Sequence, residues 1–149
     1  MSAFATLTSF FLALAAFVLS AACFAAERDI GALDVIGTPQ ADELSGTRGR
    51  DYYYGGDGAD VFVINYLSDL PDEILDFEPA EGDTIALAFP EVAGRELDSE
   101  DFWVTAKGVV KWRLPSGRDR GVVDTNRGGL TLSLEKRKGR YLLTFEKAF

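Results

Sequence analysis

Residues 55–63 read GGDGADVFV, and the two nine-residue blocks before them, GTRGRDYYY at 46–54 and GTPQADELS at 37–45, fall into register with it. Glycine opens each block (Gly37, Gly46, Gly55), aspartate stands sixth (Asp42, Asp51, Asp60) and a large apolar residue stands eighth (Leu44, Tyr53, Phe62). Matches at three positions across three contiguous blocks mark a repeat, and a repeat this short is one supersecondary unit. The chemistry of the block fits that division. Glycine reaches positive φ without a Cβ penalty, so the first six residues can turn sharply. The last three extend, and only their middle side chain points into a core. A plain hairpin with Asp57-Gly58 at its tip accounts for the third block, but not for the shared register of all three.

The pattern resembles the hemolysin-type (RTX) calcium-binding repeat, G-G-x-G-x-D-x-U-x. Residues 72–87, DEILDFEPAEGDTIAL, are similar to the block D-x-I-x-D-F-x-x-G-x-D-x-I-x-L that commonly follows such repeats, with two extra residues before Gly82. Val35 to Leu87 therefore looks like the end of a repeat array, as in the C-terminal region of serralysin-type secreted proteins, without their protease domain. The resemblance implies an all-β fold that begins as a short parallel β-roll of nonapeptide repeats. It also implies calcium between each unit and the one two further on. Carried onto this chain, Asp42 and Asp60 share a site on one edge, and Asp51 pairs with Asp69 on the other. Calcium takes six to eight hard oxygens, so backbone oxygens of the turns, at Gly37, Pro39, Gly46, Arg48, Gly55 and Asp57, complete the candidate metal set. Three departures stand out: Thr38 and Thr47 occupy the second glycine position, Gln40 occupies the fourth, and no glycines precede Asp69. A non-glycine residue at positive φ costs on the order of 1 kcal/mol. The first two turns are thus expected to be strained or differently shaped.

Composition bounds the rest. The chain has 149 residues, a net charge of −9, no histidine and one cysteine, Cys23. The acidic balance argues against a nucleic-acid partner. Lack of histidine removes most zinc sites, His-based triads and imidazole bases. Residues 27–101 carry a net −16 and residues 102–149 a net +7, so the two parts differ in task or compensate each other. From Phe4 to Ala26 there is no charge. That run fits a cleaved signal peptide, a membrane anchor, or a lipoprotein signal ending at Ala21-Ala22-Cys23. All three place the remainder in the extracellular space or the periplasm. Membrane contact follows only where the segment stays uncleaved or Cys23 is lipidated. The expected organisation is a signal peptide or anchor over 1–25, a calcium-binding roll over 26–70 and a β-rich capping region over 71–149.

Beyond the repeats, EILDF and TIALA alternate as strands. The runs FWVTA, VVKWRL, GVVDT, LTLSL and YLLTFEKAF follow, punctuated at Lys107-Gly108, Pro115-Ser116-Gly117, Asn126 to Gly129 and Lys138-Gly139. This predicts an antiparallel meander of about five strands capping the roll, with Trp103 and Trp112 in its core. Asp76 and Asp83 read as turn residues, and nothing near them supplies a nucleophile and base, so no enzyme is expected. The function expected is calcium-ion binding, with calcium structural and coupled to folding. The competing class is an extracellular adhesion or carbohydrate-binding module. It would use Tyr52, Tyr54 and the basic cluster Lys136, Arg137, Lys138 and Arg140 against an anionic polysaccharide or cell-surface component.

Overall fold

The structure, a computed structural model, describes residues 32–148. The apolar N-terminal run, the 1–25 boundary and Cys23 lie outside the described residues. Among the described residues no helix is long and apolar enough to cross a membrane.

The fold is mostly β, and among the described residues helix is confined to three 3-10 turns of three residues each. Six short strands come first: β1 (Asp34–Ile36), β2 (Glu43–Ser45), β3 (Tyr52–Tyr54), β4 (Val61–Ile64), β5 (Asp72–Ile74) and β6 (Thr84–Leu87). They alternate between two sheets. In one, β1 pairs with β3 and β3 with β5; in the other, β2 pairs with β4 and β4 with β6; all four pairings are parallel. A glycine or aspartate turn follows each three- or four-residue strand, so the chain crosses to the opposite sheet every time. Side chains alternate along a strand, and the register sends alternate residues inward, with Ile64 and Leu87 forming a second inward pair on β4 and β6. The other inward apolar residues of these strands form two facing rows, Val35–Tyr53–Ile74 and Leu44–Phe62–Ile85. Tyr53 and Phe62 meet edge to face at 5.8 Å and are fully buried. Tyr52 and Tyr54 face the other way, and the Arg50 guanidinium lies 5.3 Å over the Tyr52 ring. The parallel ladders do not stop near residue 70; they run on through Ile74 and Leu87.

The C-terminal strands are β7 (Phe102–Val104), β8 (Val109–Arg113), β9 (Asp119–Asp124), β10 (Leu130–Arg137) and β11 (Arg140–Lys147). Five strands are present, as the turn signals predict, but they do not form one meander. β7, β8 and β9 extend the first sheet, with β9 parallel to β5, while β10 and β11 extend the second, with β11 antiparallel to β6. The connection at Asn126 to Gly129 crosses between sheets instead of closing a hairpin. The reason is physical: β5 and β6 each end a ladder with unpaired backbone groups, and open edges are a liability. One chain covers both only by dividing its strands. Phe102 stacks on Trp112 at 5.8 Å beside Phe89, and Phe145 packs on Phe77 at 5.1 Å, so each extension carries the core onward. Trp112 is buried, while Trp103 is half-buried on the outer face under Arg113.

Candidate metal centre

The inward residues follow a smaller unit than nine: aspartate, any residue, large apolar residue. It occurs at Asp42-Glu43-Leu44, Asp51-Tyr52-Tyr53, Asp60-Val61-Phe62, Asp72-Glu73-Ile74 and Asp83-Thr84-Ile85. Each aspartate closes a turn and each apolar residue enters the core. The aspartates bond along the stack. Asp60 Oδ1 accepts from the Asp42 amide at 2.9 Å, and Asp83 Oδ1 accepts from the Asp60 amide at 2.9 Å. On the opposite edge, Asp51 Oδ1 accepts from the Leu33 amide at 3.0 Å, and Asp72 Oδ1 accepts from the Asp51 amide at 2.9 Å. Turns 37–42, 55–60 and 78–83 thus share one edge, and turns 46–51 and 67–72 share the other.

This arrangement brings Asp42 and Asp60 together on one edge. It does not unite Asp51 with Asp69. Asp69 is exposed, and Asp72 holds the position one coil beyond Asp51. Counting in nines misses this because the interval from Asp60 to Asp72 is twelve residues, three longer than the repeat. Asp72 and Asp83 were legible through their own Asp-x-Ile triads.

The second carboxylate oxygen separates the turns. In turn 37–42, Asp42 Oδ2 accepts from the Thr38 amide at 2.6 Å and from the Thr38 hydroxyl at 2.9 Å. In turn 46–51, Asp51 Oδ2 accepts from the Thr47 amide, and the Thr47 hydroxyl donates to the same carboxylate. In turn 78–83, Asp83 Oδ2 accepts from the Glu78 amide at 2.8 Å. Turn 55–60 has no such closure. Asp60 is 0% exposed, and its Oδ2 has no hydrogen-bond partner among the described residues. The Gly56 amide, which would close the turn, donates instead to Asp76 Oδ2 at 2.9 Å, and the Gly55 amide donates to Asp76 Oδ1 at 2.8 Å.

The glycines at the head of each block serve close approach. A Cβ on Gly55 would strike Asp60 Oδ2, one on Gly46 would lie 2.5 Å from the Tyr53 hydroxyl, and one on Gly37 would strike the Gly55 carbonyl oxygen. In the three repeat turns, 37–42, 46–51 and 55–60, positive φ is confined to Gly56 (88°) and Gly58 (99°). Thr38 and Thr47 do not adopt it, so the first two turns are differently shaped rather than strained. The Gly55 and Thr38 carbonyl oxygens both face the neighbouring turn, Thr38 towards Gly56. Pro39, Arg48 and Asp57 are exposed, and Arg48 lies 5.0 Å over the Tyr66 ring.

Burial governs the electrostatics. It raises Asp60 above the usual carboxylate range, and the charges of Asp42 and Asp76 add to the rise. Burial pushes Asp72 and Asp83 each up to about 6, against the lowering effect of the amides they accept. Among the described residues no three Asp, Glu, His or Cys side chains gather as a metal-holding group. A cation here would draw on one or two carboxylates and on backbone carbonyls, the hard oxygen donors that suit calcium.

The basic hairpin is tied into the fold. Lys136 pairs with Glu96 at 3.1 Å, Arg137 with Glu135 at 2.7 Å and Arg140 with Glu43 at 3.1 Å. Three of the four cations counted towards a glycan surface therefore have an acidic partner within the chain.

No family model matches this chain, and no curated protein or solved structure matches it.

Proposed function

We infer that this chain is a calcium-binding module of the hemolysin-type repeat kind, folded as a short β-roll and working outside the cytoplasm, with calcium as a structural cofactor. The observation that carries the reading is the Asp60 Oδ2 atom, a buried carboxylate oxygen with no hydrogen-bond partner among the described residues. Leaving a buried charged acceptor unmatched costs on the order of 1–3 kcal/mol or more, and a cation removes that cost. The residues around it suit a hard cation. Asp60 and Asp42 would hold it with carbonyl oxygens of turns 37–42 and 55–60, among them Gly55 and Thr38. The opposite edge supports the reading less, because Asp51 already takes amides from Leu33 and Thr47. Bound calcium would neutralise part of the acidic stack, coupling metal affinity to folding.

Calcium titration of the purified protein, followed by calorimetry and circular dichroism beside an Asp60→Asn variant, tests this. Calcium is expected to raise the melting temperature of the wild type and not of the variant. A wild type equally stable in calcium and in chelator would overturn the reading.

A further inference from the structure

We propose that Asp76 is the positioning residue that keeps Asp60 open for the cation, by taking the turn amide that Asp60 would otherwise accept. This rests on the calcium reading above and adds a residue that touches no candidate ligand atom.

Where Asp42, Asp51 and Asp83 sit, the second carboxylate oxygen accepts an amide four or five residues earlier in its own turn. That second oxygen is satisfied by protein alone in each of those turns. In turn 55–60 the corresponding amide belongs to Gly56. It is removed from Asp60 by Asp76, which lies 20 residues further along the chain and also takes the Gly55 amide. Each Asp76 oxygen is thus committed to one N–H group. Consecutive peptide N–H groups held on one side turn their carbonyls away from that side, and the Gly55 carbonyl oxygen faces turn 37–42. Asp76 therefore acts twice on the same site: it leaves Asp60 Oδ2 without an internal donor, and it aims a backbone oxygen at the stack.

Sequence follows this division. The turns that close on themselves at Asp42 and Asp51 carry threonine at the second position, whose hydroxyl adds a further bond to the carboxylate. The open turn carries Gly56 there, which has no hydroxyl to offer. Asp76 is exposed, so it is replaceable without emptying the core.

The test measures calcium binding by isothermal titration calorimetry, and melting in chelator and in calcium chloride. It uses the wild type, Asp60→Asn, Asp76→Ala and Asp76→Asn, the last preserving shape should alanine not fold. Asp76→Ala is expected to weaken calcium binding about 10- to 100-fold, the usual effect of removing a group that orients a ligand. Its melting temperature in chelator should stay close to that of the wild type, because Asp60 recaptures the Gly56 amide as Asp42 does the Thr38 amide. The Gly56 amide proton shift should then respond to Asp60→Asn in the Asp76→Ala background and not in the wild type. A purely structural Asp76 would instead lower melting equally in chelator and in calcium, leaving the calcium increment intact. That result overturns the inference, as does wild-type affinity in both Asp76 variants. If Asp60→Asn abolishes binding while the Asp76 variants retain it, the inference fails and the calcium site stands. If the wild type binds no calcium, both fall.

Discussion

Asp60 is the residue on which the chemistry turns. Without a cation it is a buried charge facing Asp42 and Asp76, and burial raises its proton affinity. Replacing it with asparagine removes that charge while keeping an oxygen for the Asp42 amide. In chelator at neutral pH, Asp60→Asn should melt at or above the wild-type temperature; in millimolar calcium it should melt below it. The reversal of order between the two conditions is the expected result of paired thermal melts. Asp83 gives a pH signature of its own. Its carboxyl moves from an unfolded value near 3.8 up to about 6 when folded, so between those values the folded chain binds more protons than the unfolded chain. Stability from this group is full below pH 3.8 and is lost as pH rises through about 6. Thermal melts in chelator from pH 4 to 7 should accordingly show a shallower fall in Asp83→Asn than in the wild type. At this scale the sequence was partly readable. The Asp-x-apolar triads announce all five turn aspartates, but a fixed count of nine led to Asp69, because chain inserted between coils leaves the stacking of turns intact while breaking the interval.

Among the elements, the turns and the C-terminal strands show what periodicity carries and what it omits. Threonine at the second position suggested a turn either strained or differently shaped, since glycine there signals positive φ. The structure instead uses Thr47 as a local donor to Asp51 and keeps it out of that region. Thr47→Val keeps the shape and removes the hydroxyl. It should cost about 1 kcal/mol by chemical denaturation and leave the calcium response unchanged, because turn 46–51 is already closed. Gly58→Ala should behave differently. Its φ is 99° and a Cβ would sit 3.0 Å from the Ala41 amide nitrogen, so it should destabilise by roughly 1–3 kcal/mol and weaken calcium binding together with the fold. The five C-terminal strands were legible from alternation and from Gly108, Gly117 and Gly139, all at positive φ. Their division between sheets was not. Asn126 and Gly129 take the same left-handed conformation whether the chain folds back as a hairpin or crosses over. Only the need to cover both β5 and β6 decides between the two.

Across the whole molecule, the uneven charge seen in the sequence becomes a structural compensation. Glu43 with Arg140, Glu78 with Arg127 and Glu96 with Lys136 join the acidic part of the chain to the basic part. These pairs are exposed or half-exposed, and such pairs contribute roughly 0–1 kcal/mol each, so they offset the acidic excess without removing it. Among the described residues none of the stacked aspartates forms an ion pair with those cations, so on the proposed reading a divalent ion, rather than general screening, meets that acidic edge. Two distinct ionic effects follow. Sodium chloride should raise the melting temperature in chelator by screening surface repulsion, with most of the gain reached near 0.1–0.2 M, where the Debye length falls to about 8–10 Å. Calcium should add a further rise at millimolar concentration, where its contribution to ionic strength is negligible. Asp60→Asn should keep the sodium response and lose the calcium increment. Sodium matching calcium at equal ionic strength would mean that the acidic stack is held by screening alone, and the Asp60 oxygen would then have to find its partner in solvent.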